Sequence, residues 1–594
     1  MNKKIKLREK WQGLTDTVMR FPLTVILLIA SIVTNFIAIE SDYDITYTRL
    51  LITFLLGAAL FVVLQLLYER FFDNPVLRII FMFVTIIFSS IYFMLIRNSE
   101  WEIEVTIRTI VLLFILVIAF LWIPSIGSKT SINESFMAAF KGFFTALFFD
   151  GVLFLGVVII ISATDLLIFD IYETAYIHSA NIIFVLLAPI YFLTMVPNYP
   201  RKSDIAIVEE SQDNKYDGEF LRLTTPAKFL ETLISYVIIP ITAVFTVILI
   251  LYIIINIAGE FWSDNLMEPL LVSYSITVIV VYILASTIKN PFAKYFRMIF
   301  PKVLIPVVLF QTLSSILKIA DVGITYGRYY VILFGVFATM AGVLFSFLPI
   351  RKNGIIAPIL IILAVISIVP PVDAFTLSRA TQISRLEKVL TSNNMLSEDT
   401  LTPNVNLSEE DQSDIVSSLD YLDRMNYTKD IEYLHSYYIS FDFEKTFGFD
   451  RYKSVDNEYQ SYYYGRNTNE PVPIAGNDYM IQLNVHNMTE VGDNQFEVDG
   501  SLYSLSVDNT DNDNQIIRLE DAQGLELLRY EYNDLFTKFT GVDSGKEFMS
   551  TEEMTFRQEN DKAAITMIAN NISINEWSDG KDKSTELIIL IDIR

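Results

Sequence analysis

Long apolar runs occupy the first 371 residues and are separated by short polar connections. A helix needs about 20 apolar residues to cross ~30 Å of hydrocarbon, and each run is close to that length. The pattern therefore predicts an α-helical polytopic membrane domain of about eleven transmembrane helices. The predicted spans are 21–39, 50–68, 79–96, 109–125, 143–163, 179–196, 233–258, 270–288, 303–319, 329–348 and 355–371.

The pattern changes after Pro371. Asp373 is a predicted N-cap of an amphipathic helix, and Ser408 with Asp411 three residues on predicts the start of a second helix. Alternating apolar and polar positions then predict strands, and a short helix is predicted near 531–539. The predicted strands are 478–486, 495–499, 502–507, 516–519 and 586–593.

These elements divide the chain into three parts. We predict a transmembrane helical domain over 1–371, an amphipathic helical connector over 372–404 and an extracytoplasmic α+β domain over 405–594. From Val372 onward the chain has 18 basic and 42 acidic residues, whereas the first 371 residues have 26 of each. The two regions therefore meet different solvents.

Charge and cysteine content exclude several classes of function. The formal net charge of −24 argues against a nucleic-acid surface, which needs clustered Lys and Arg. The chain contains no Cys, which excludes disulfides, thiolate metal sites and a Cys nucleophile.

Lys and Arg also predict the orientation. With the N-terminus in the cytoplasm, the cytoplasmic segments receive 21 basic residues and the outer connections of the first 371 residues receive 5. We therefore expect a multi-pass plasma-membrane protein with a cytoplasmic N-terminus and an extracellular C-terminal domain.

Asp150 is the sharpest candidate site residue because it lies inside the fifth predicted span. A carboxylate there costs a few kcal/mol unless it is paired or faces a polar cavity. Two interpretations stay open. Asp150 is either a proton, ion or ligand site, or it makes a structural hydrogen bond to Asn35, Asn181, Gln311 or a serine.

Candidates on the outer face are less specific. Asp42 and Asp44 follow the first span, where multi-span glycosyltransferases with lipid-linked donors place a carboxylate pair, although the loop here is short. Asp-x-Asp is a weak pattern, and the acidic bias of outer loops is the better explanation of the pair. Lys318 and Arg328 flank a connection near Asp321. They could hold a lipid phosphate or the acidic domain, or act as snorkelling anchors.

No metal site or cofactor is predicted. The Asp-rich segment 508–513 lacks the Gly and Glu that a calcium loop requires and is better explained as a hairpin turn. His178, His435 and His486 are widely separated and form no zinc-binding motif.

Four segments carry a resemblance to a known family. They are Gly323-Ile-Thr-Tyr-Gly-Arg-Tyr-Tyr330, Asp373–Leu386, Ser408-Glu-Glu-Asp411 with Leu419-Asp-Tyr-Leu422, and Gly476-Asn-Asp-Tyr479. They resemble the bacterial polytopic membrane proteins of the domain-of-unknown-function 4153 family, with Thr381-Gln382 where that family usually has Ser-Gln. The resemblance implies a membrane fold and an envelope location, and it implies no activity.

The sequence favours an integral membrane protein of the cell envelope, whose partners are the lipid bilayer and an envelope protein or lipid-linked ligand bound by the acidic domain. One alternative is a transporter or lipid-handling protein that uses Asp150. Another is a glycosyltransferase-like enzyme that uses Asp42, Asp44 and Arg328. No catalytic set is visible, so an enzyme is not favoured. A lipid-sized lateral groove beside Asp42, Asp44 and Arg328 in the structure would favour the enzyme. A buried polar path from Asp150 would favour the transporter, and dry packing of the helices would favour the binding protein.

Overall fold

The computed structural model describes residues 13–41, 45–97, 103–128, 130–199, 222, 224–256, 267–397, 400–434, 443–451, 459–486, 491–509, 515–539, 548–577 and 580–594. The chain divides into two compact units. Unit 1 comprises residues 1–402 and 414–442, and unit 2 comprises 403–413 and 443–594. The three-part division expected from the sequence stays a prediction. In the observed grouping, residues 414–442 belong with the membrane helices.

Unit 1 contains ten helices, among the described residues, that are long and apolar enough to cross a membrane. This number is close to the predicted eleven. The helices are α1 (Pro22–Glu40), α2 (Ile45–Phe71), α3 (Pro75–Arg97), α4 (Ile103–Trp122), α5 (Ile132–Leu167), α6 (Thr174–Thr194), α7 (Lys228–Ile255), α8 (Met267–Ala285), α9 (Pro291–Leu317) and α10 (Tyr326–Phe347).

The eleventh predicted span is shorter than expected, because its α-helical part, α11, covers only Ile356–Ile366. A 3₁₀ segment, Ile350–Ile355, precedes it. At about 1.5 Å per residue, α11 rises only about 16 Å, roughly half of the ~30 Å hydrocarbon core.

The bundle has two ends that recur below. The connector end is where α4 and α10 begin and α11 finishes; the opposite end is where α4 finishes and α5 begins. Helices α8, α9 and α10 form the largest buried apolar cluster. Helices α9 and α10 approach closely at Gly342, where an added Cβ would lie 3.1 Å from the carbonyl oxygen of Pro301. Small residues at such crossings let membrane helices pack backbone to backbone.

Both helices predicted after the membrane region are present. Helix α12 (Ala374–Ser392) begins at Asp373, whose carboxylate accepts from the amides of Phe375 and Thr376. A short hairpin of β1 (Leu396–Ser397) and β2 (Thr400–Leu401) follows. Helix α13 (Glu409–Arg424) starts in unit 2 and finishes in unit 1. The amide of Asp411 donates to the Ser408 hydroxyl at 3.2 Å, as the sequence predicts.

Unit 2 consists of two sheets around one apolar core. Among the described residues, one sheet has the order β4-β12-β11-β3-β9 with β10 beside β11, and the other the order β5-β6-β7-β8. The predicted strands are present as β4–β7 and β12, and α15 lies within the predicted short helix. The elements are α14 (Phe443–Phe447), β3 (Tyr459–Arg466), β4 (Tyr479–His486), β5 (Val491–Val498), β6 (Ser501–Asn509), β7 (Gln515–Asp521), β8 (Glu526–Glu531), α15 (Asn533–Thr537), β9 (Phe548–Met549), β10 (Thr555–Glu559), β11 (Ala563–Trp577) and β12 (Gly580–Ile593).

Candidate functional site

Three of the outer-face candidates fall where the structure gives no side-chain description. Asp42 and Asp44 lie outside the described residues, and for Asp321 only the helical backbone is described. Their proposed roles stay predictions.

Lys318 and Arg328 are brought together at the connector end. The Arg328 guanidinium donates to the backbone carbonyl of Lys318 at 3.1 Å. Thr325 caps α10 by accepting from the Arg328 amide at 3.3 Å. The Lys318 side chain is buried. These contacts secure the turn between α9 and α10, and a role for the two cations in holding a phosphate stays a prediction.

Asp150 lies near the middle of α5 and is 5% exposed. Its Oδ2 atom is buried and has no hydrogen bond within the described part of the chain. Two of the partners considered from the sequence bond each other instead, because the Asn35 amide donates to the Asn181 side-chain oxygen at 3.0 Å. Asn181 in turn donates to the carbonyl of Ile32 at 3.1 Å.

A polar cluster that the sequence did not predict surrounds the first turns of α4. Arg108 donates to Asp373 at 2.8 Å, to Glu104 at 3.0 Å, and to the carbonyl of Ile368. Asp373 is completely buried. Because Asp373 also caps α12, one carboxylate joins the start of the connector to the membrane helix.

Glu104 extends this cluster to the segment after α13. The Tyr427 hydroxyl donates to the Glu104 carboxylate at 2.9 Å. Burial raises the pKa of the Tyr427 phenol well above its ordinary value, and the Glu104 charge raises it further. The phenol therefore stays protonated and keeps donating. Arg379 of α12 lies over the Tyr427 ring and pairs with Asp430 at 2.7 Å.

A second cluster joins α12 and α13 to the start of α10. Gln382 donates to the carbonyls of Val322 and Ile324 at 2.9 and 3.2 Å. Gly323, between them, has φ +71°, and an added Cβ would lie 2.7 Å from the Gln382 amide nitrogen. This position therefore needs Gly for both conformation and space.

Tyr421 completes the second cluster from α13. Its hydroxyl donates to Ser378 at 2.9 Å and accepts from the Tyr326 amide at 3.0 Å. We call the two clusters together the connector clamp. Its members are Glu104, Arg108, Asp373, Ser378, Gln382, Tyr421, Tyr427 and the Val322–Tyr326 segment.

The connector clamp brings together segments that the sequence analysis singled out separately. The motif from Gly323 and the motif from Asp373 contact each other through Gln382, and Tyr421 of the third motif bonds to both. The sequence did not identify Glu104 and Arg108 as their partner. The only signal in the sequence was that Glu104 and Arg108 are an acidic and a basic residue four positions apart at the start of a span. Such pairs are common on helices, so this spacing did not point to a distant partner.

Two apolar cavities flank α4. The α4 cavity, of about 480 Å³, is bounded by α4, α5, α8, α10 and α11. The α1 cavity, of about 510 Å³, is bounded by α1, α2, α4, α5 and α6. Val117, Leu121 and Phe136 line both. Asp150 lines neither, so neither offers it a polar path.

The connector clamp joins its segments through hydrogen bonds and ion pairs. The Asp373 carboxylate already accepts from Arg108 and from two backbone amides. Within the described residues, no group of three His, Asp or Glu side chains is arranged to hold a metal ion.

Comparison with known proteins gives one match. The sequence model of the family described as "Domain of unknown function (DUF4153)" matches residues 50–407, which is more than half of the chain. No curated protein and no solved structure matches the chain. The matched region runs from α2 through α12 and holds both motifs that meet in the connector clamp. This integral membrane protein therefore belongs to the DUF4153 family.

Proposed function

We propose that the protein presents its acidic unit 2 on the outer side of the plasma membrane, where it binds an envelope protein or a lipid-linked envelope ligand. The connector clamp is the observation that carries this proposal. It ties both helices that follow the membrane region to α4 and α10, and the chain enters unit 2 from these helices.

The composition of the clamp supports a holding role. Arg108 and Asp373 form a buried ion pair with further hydrogen bonds on both partners. Such pairs contribute little net stability but fix which segments meet, since breaking one leaves an uncompensated buried charge.

The surface of unit 2 supports a binding role. Tyr463, Met480 and Leu525 are each more than half exposed on an otherwise acidic unit. Aromatic residues and Met are enriched in protein–protein interfaces relative to the rest of the protein surface. The positive-inside distribution supports an outward orientation of this unit.

The orientation can be tested directly because the chain has no Cys. Leu525→Cys places one thiol in unit 2, and Lys289→Cys places one at the opposite end of the bundle. A membrane-impermeant maleimide applied to intact cells should label Leu525→Cys, and it should label Lys289→Cys only after permeabilisation. The reverse pattern would overturn the orientation.

The same thiols test binding. A photo-crosslinker attached to Leu525→Cys or Tyr463→Cys in intact cells should give one discrete adduct, to a protein or to a glycan-bearing species. Attached to Lys289→Cys in permeabilised cells, it should not give that adduct. Efficient labelling of unit 2 without any adduct in growing cells would refute the binding role while leaving the orientation intact.

A further inference from the structure

The α4 cavity has the character of a lipid-chain site. Its walls are almost entirely apolar, and the polar side chains of Tyr330 and Ser367 lie only at its connector end. The cavity follows α4 from Val111 to Leu121, a rise of about 15 Å, which is half of the ~30 Å hydrocarbon core. Its volume falls within the roughly 300–1,000 Å³ range of ligand pockets.

The cavity opens to the surface of the bundle. Phe114, Val117 and Ile276 line it and are 42%, 52% and 47% exposed. In a bilayer these side chains face hydrocarbon, and an apolar cavity of this size does not hold water. An acyl chain can therefore enter from the side.

A basic mouth lies at the opposite end of the bundle. This cavity, of about 460 Å³, is lined by Arg351 and Lys352 of the 3₁₀ segment and by hydroxyl side chains of the α4–α5 connection. Neither cation forms an ion pair within the described residues. The hydroxyl-bearing residues are Ser125, Ser128, Thr130 and Ser131.

Glu134 is a carboxylate close in sequence to the hydroxyl residues of the basic mouth. Its side chain is already engaged, because it accepts from the amide and the hydroxyl of Ser131 in the capping box of α5. The basic mouth therefore presents two cations, and beside them the hydroxyls of Ser128 and Thr130. The other two hydroxyls already donate within the protein, from Ser125 to the Trp122 carbonyl at 2.7 Å and from Ser131 to Glu134 at 2.9 Å. Arg and Lys beside hydroxyl groups are the donors that phosphate groups prefer.

The two cavities meet at Ile132, which lines both. Their walls also continue from Leu121 to Trp122 and from Ile356 to Ile355. We propose that one anionic phospholipid occupies this combined site, with an acyl chain in the α4 cavity and its phosphate at Arg351 and Lys352. Free phosphate would leave the apolar part empty, and a neutral lipid would leave the two cations without a counter-charge.

The test is native mass spectrometry of the full-length protein, extracted gently into mixed micelles with equal amounts of phosphatidylglycerol and phosphatidylcholine. One phosphatidylglycerol per chain should survive mild activation, at least tenfold in excess over phosphatidylcholine. The double variant Arg351→Gln/Lys352→Gln should remove that preference. The matched control Lys289→Gln/Lys294→Gln removes the same charge at the same end, from two exposed lysines, and should keep the preference.

The apolar part has its own variant. Ile276→Trp places a ring at the lateral opening and should reduce retained phosphatidylglycerol at least fivefold. Ile254→Trp, on the exposed face of α7 away from the cavity, should not. Equal retention of the two lipids by the unaltered protein, or equal loss in test and control variants, would mean bulk lipid only and overturn the proposal. Thermal stabilisation by inorganic phosphate equal to that by phosphatidylglycerol would assign the mouth to free phosphate and overturn it too.

Discussion

Helix α4 meets two different surroundings along its length. At its first turn, Glu104 and Arg108 are held by ion pairs and hydrogen bonds to residues more than 260 positions away. From Val111 onward the same helix runs between two apolar cavities. Polar groups therefore determine where α4 sits, and apolar groups leave room beside it. In a bilayer, apolar side chains gain little from touching each other rather than lipid, so gaps cost less there than in water.

The largest expected effect on stability comes from removing the Arg108 charge that anchors α4. Arg108→Gln leaves the buried Asp373 without its cation and should lower the free energy of unfolding by about 3 kcal/mol. Arg97→Gln, an exposed change at the same end, should stay within about 0.5 kcal/mol. Thermal unfolding of the full chain in nanodiscs measures both effects. An equal loss of stability for the two substitutions would contradict a stabilising role for the clamp.

A substitution at Gly323, just before α10, tests the same clamp through the backbone. Gly323→Ala forces a side chain into a positive-φ position beside Gln382 and should cost about 2 kcal/mol. Gly327→Ala lies in the first turn of α10 with nothing within 4 Å, and it should be neutral or stabilising by up to about 1 kcal/mol. Comparable losses of stability at both positions would mean that α10 itself does not tolerate substitution of its glycines, and that the contact with α12 is not the cause.

Asp150 and Asn181 allow the cost of an unsatisfied and of a satisfied polar side chain to be compared within the apolar region. Asp150→Leu removes a membrane-buried carboxyl with an unsatisfied oxygen and should raise stability by about 2 kcal/mol. Asn181→Leu removes a bonded amide and should lower it by about 1 kcal/mol. If Asp150 is instead a proton or ion site, Asp150→Asn will fail to complement a deletion strain, although the protein remains stable and inserted.

The smallest expected effect is a pH dependence of the clamp. Because the folded pKa of Tyr427 is raised, its contribution is complete below the unfolded pKa of about 10 and is lost as pH rises above that value. Between pH 9 and 11 the unaltered protein should lose about 1 kcal/mol more stability than Tyr427→Phe. Parallel curves for the two proteins would show that the phenol does not couple to folding.

Elements with a regular local pattern could be predicted from the sequence. The apolar runs predicted the membrane helices, and Asp373 and Ser408 predicted the starts of α12 and α13. Strand β11 was missed. Its Asn570-Asn571 pair is typical of a turn, yet in the structure the pairing shifts register there and the strand continues through a bulge.

The connector clamp could not be derived in the same way. Arg108 and Asp373 each have an ordinary local explanation, as a helix ion pair and as an N-cap. Their pairing depends on α11 returning the chain to the start of α4, which is a property of the whole bundle. Asp42 and Asp44 fall outside the described residues, so the sequence-based hypothesis about them stays as it was.

The distance along the chain between clamp partners has a consequence for biogenesis. Glu104 and Tyr427 are 323 residues apart, and Arg108 and Asp373 are 265 apart. At ~5–20 residues per second, a ribosome needs on the order of 15 to 65 s to make the intervening chain. During that interval the two charged side chains of α4, Glu104 and Arg108, can pair with each other because they are four residues apart. A nascent chain that stops before residue 427 therefore has an incomplete clamp, because Glu104 lacks the hydroxyl of Tyr427.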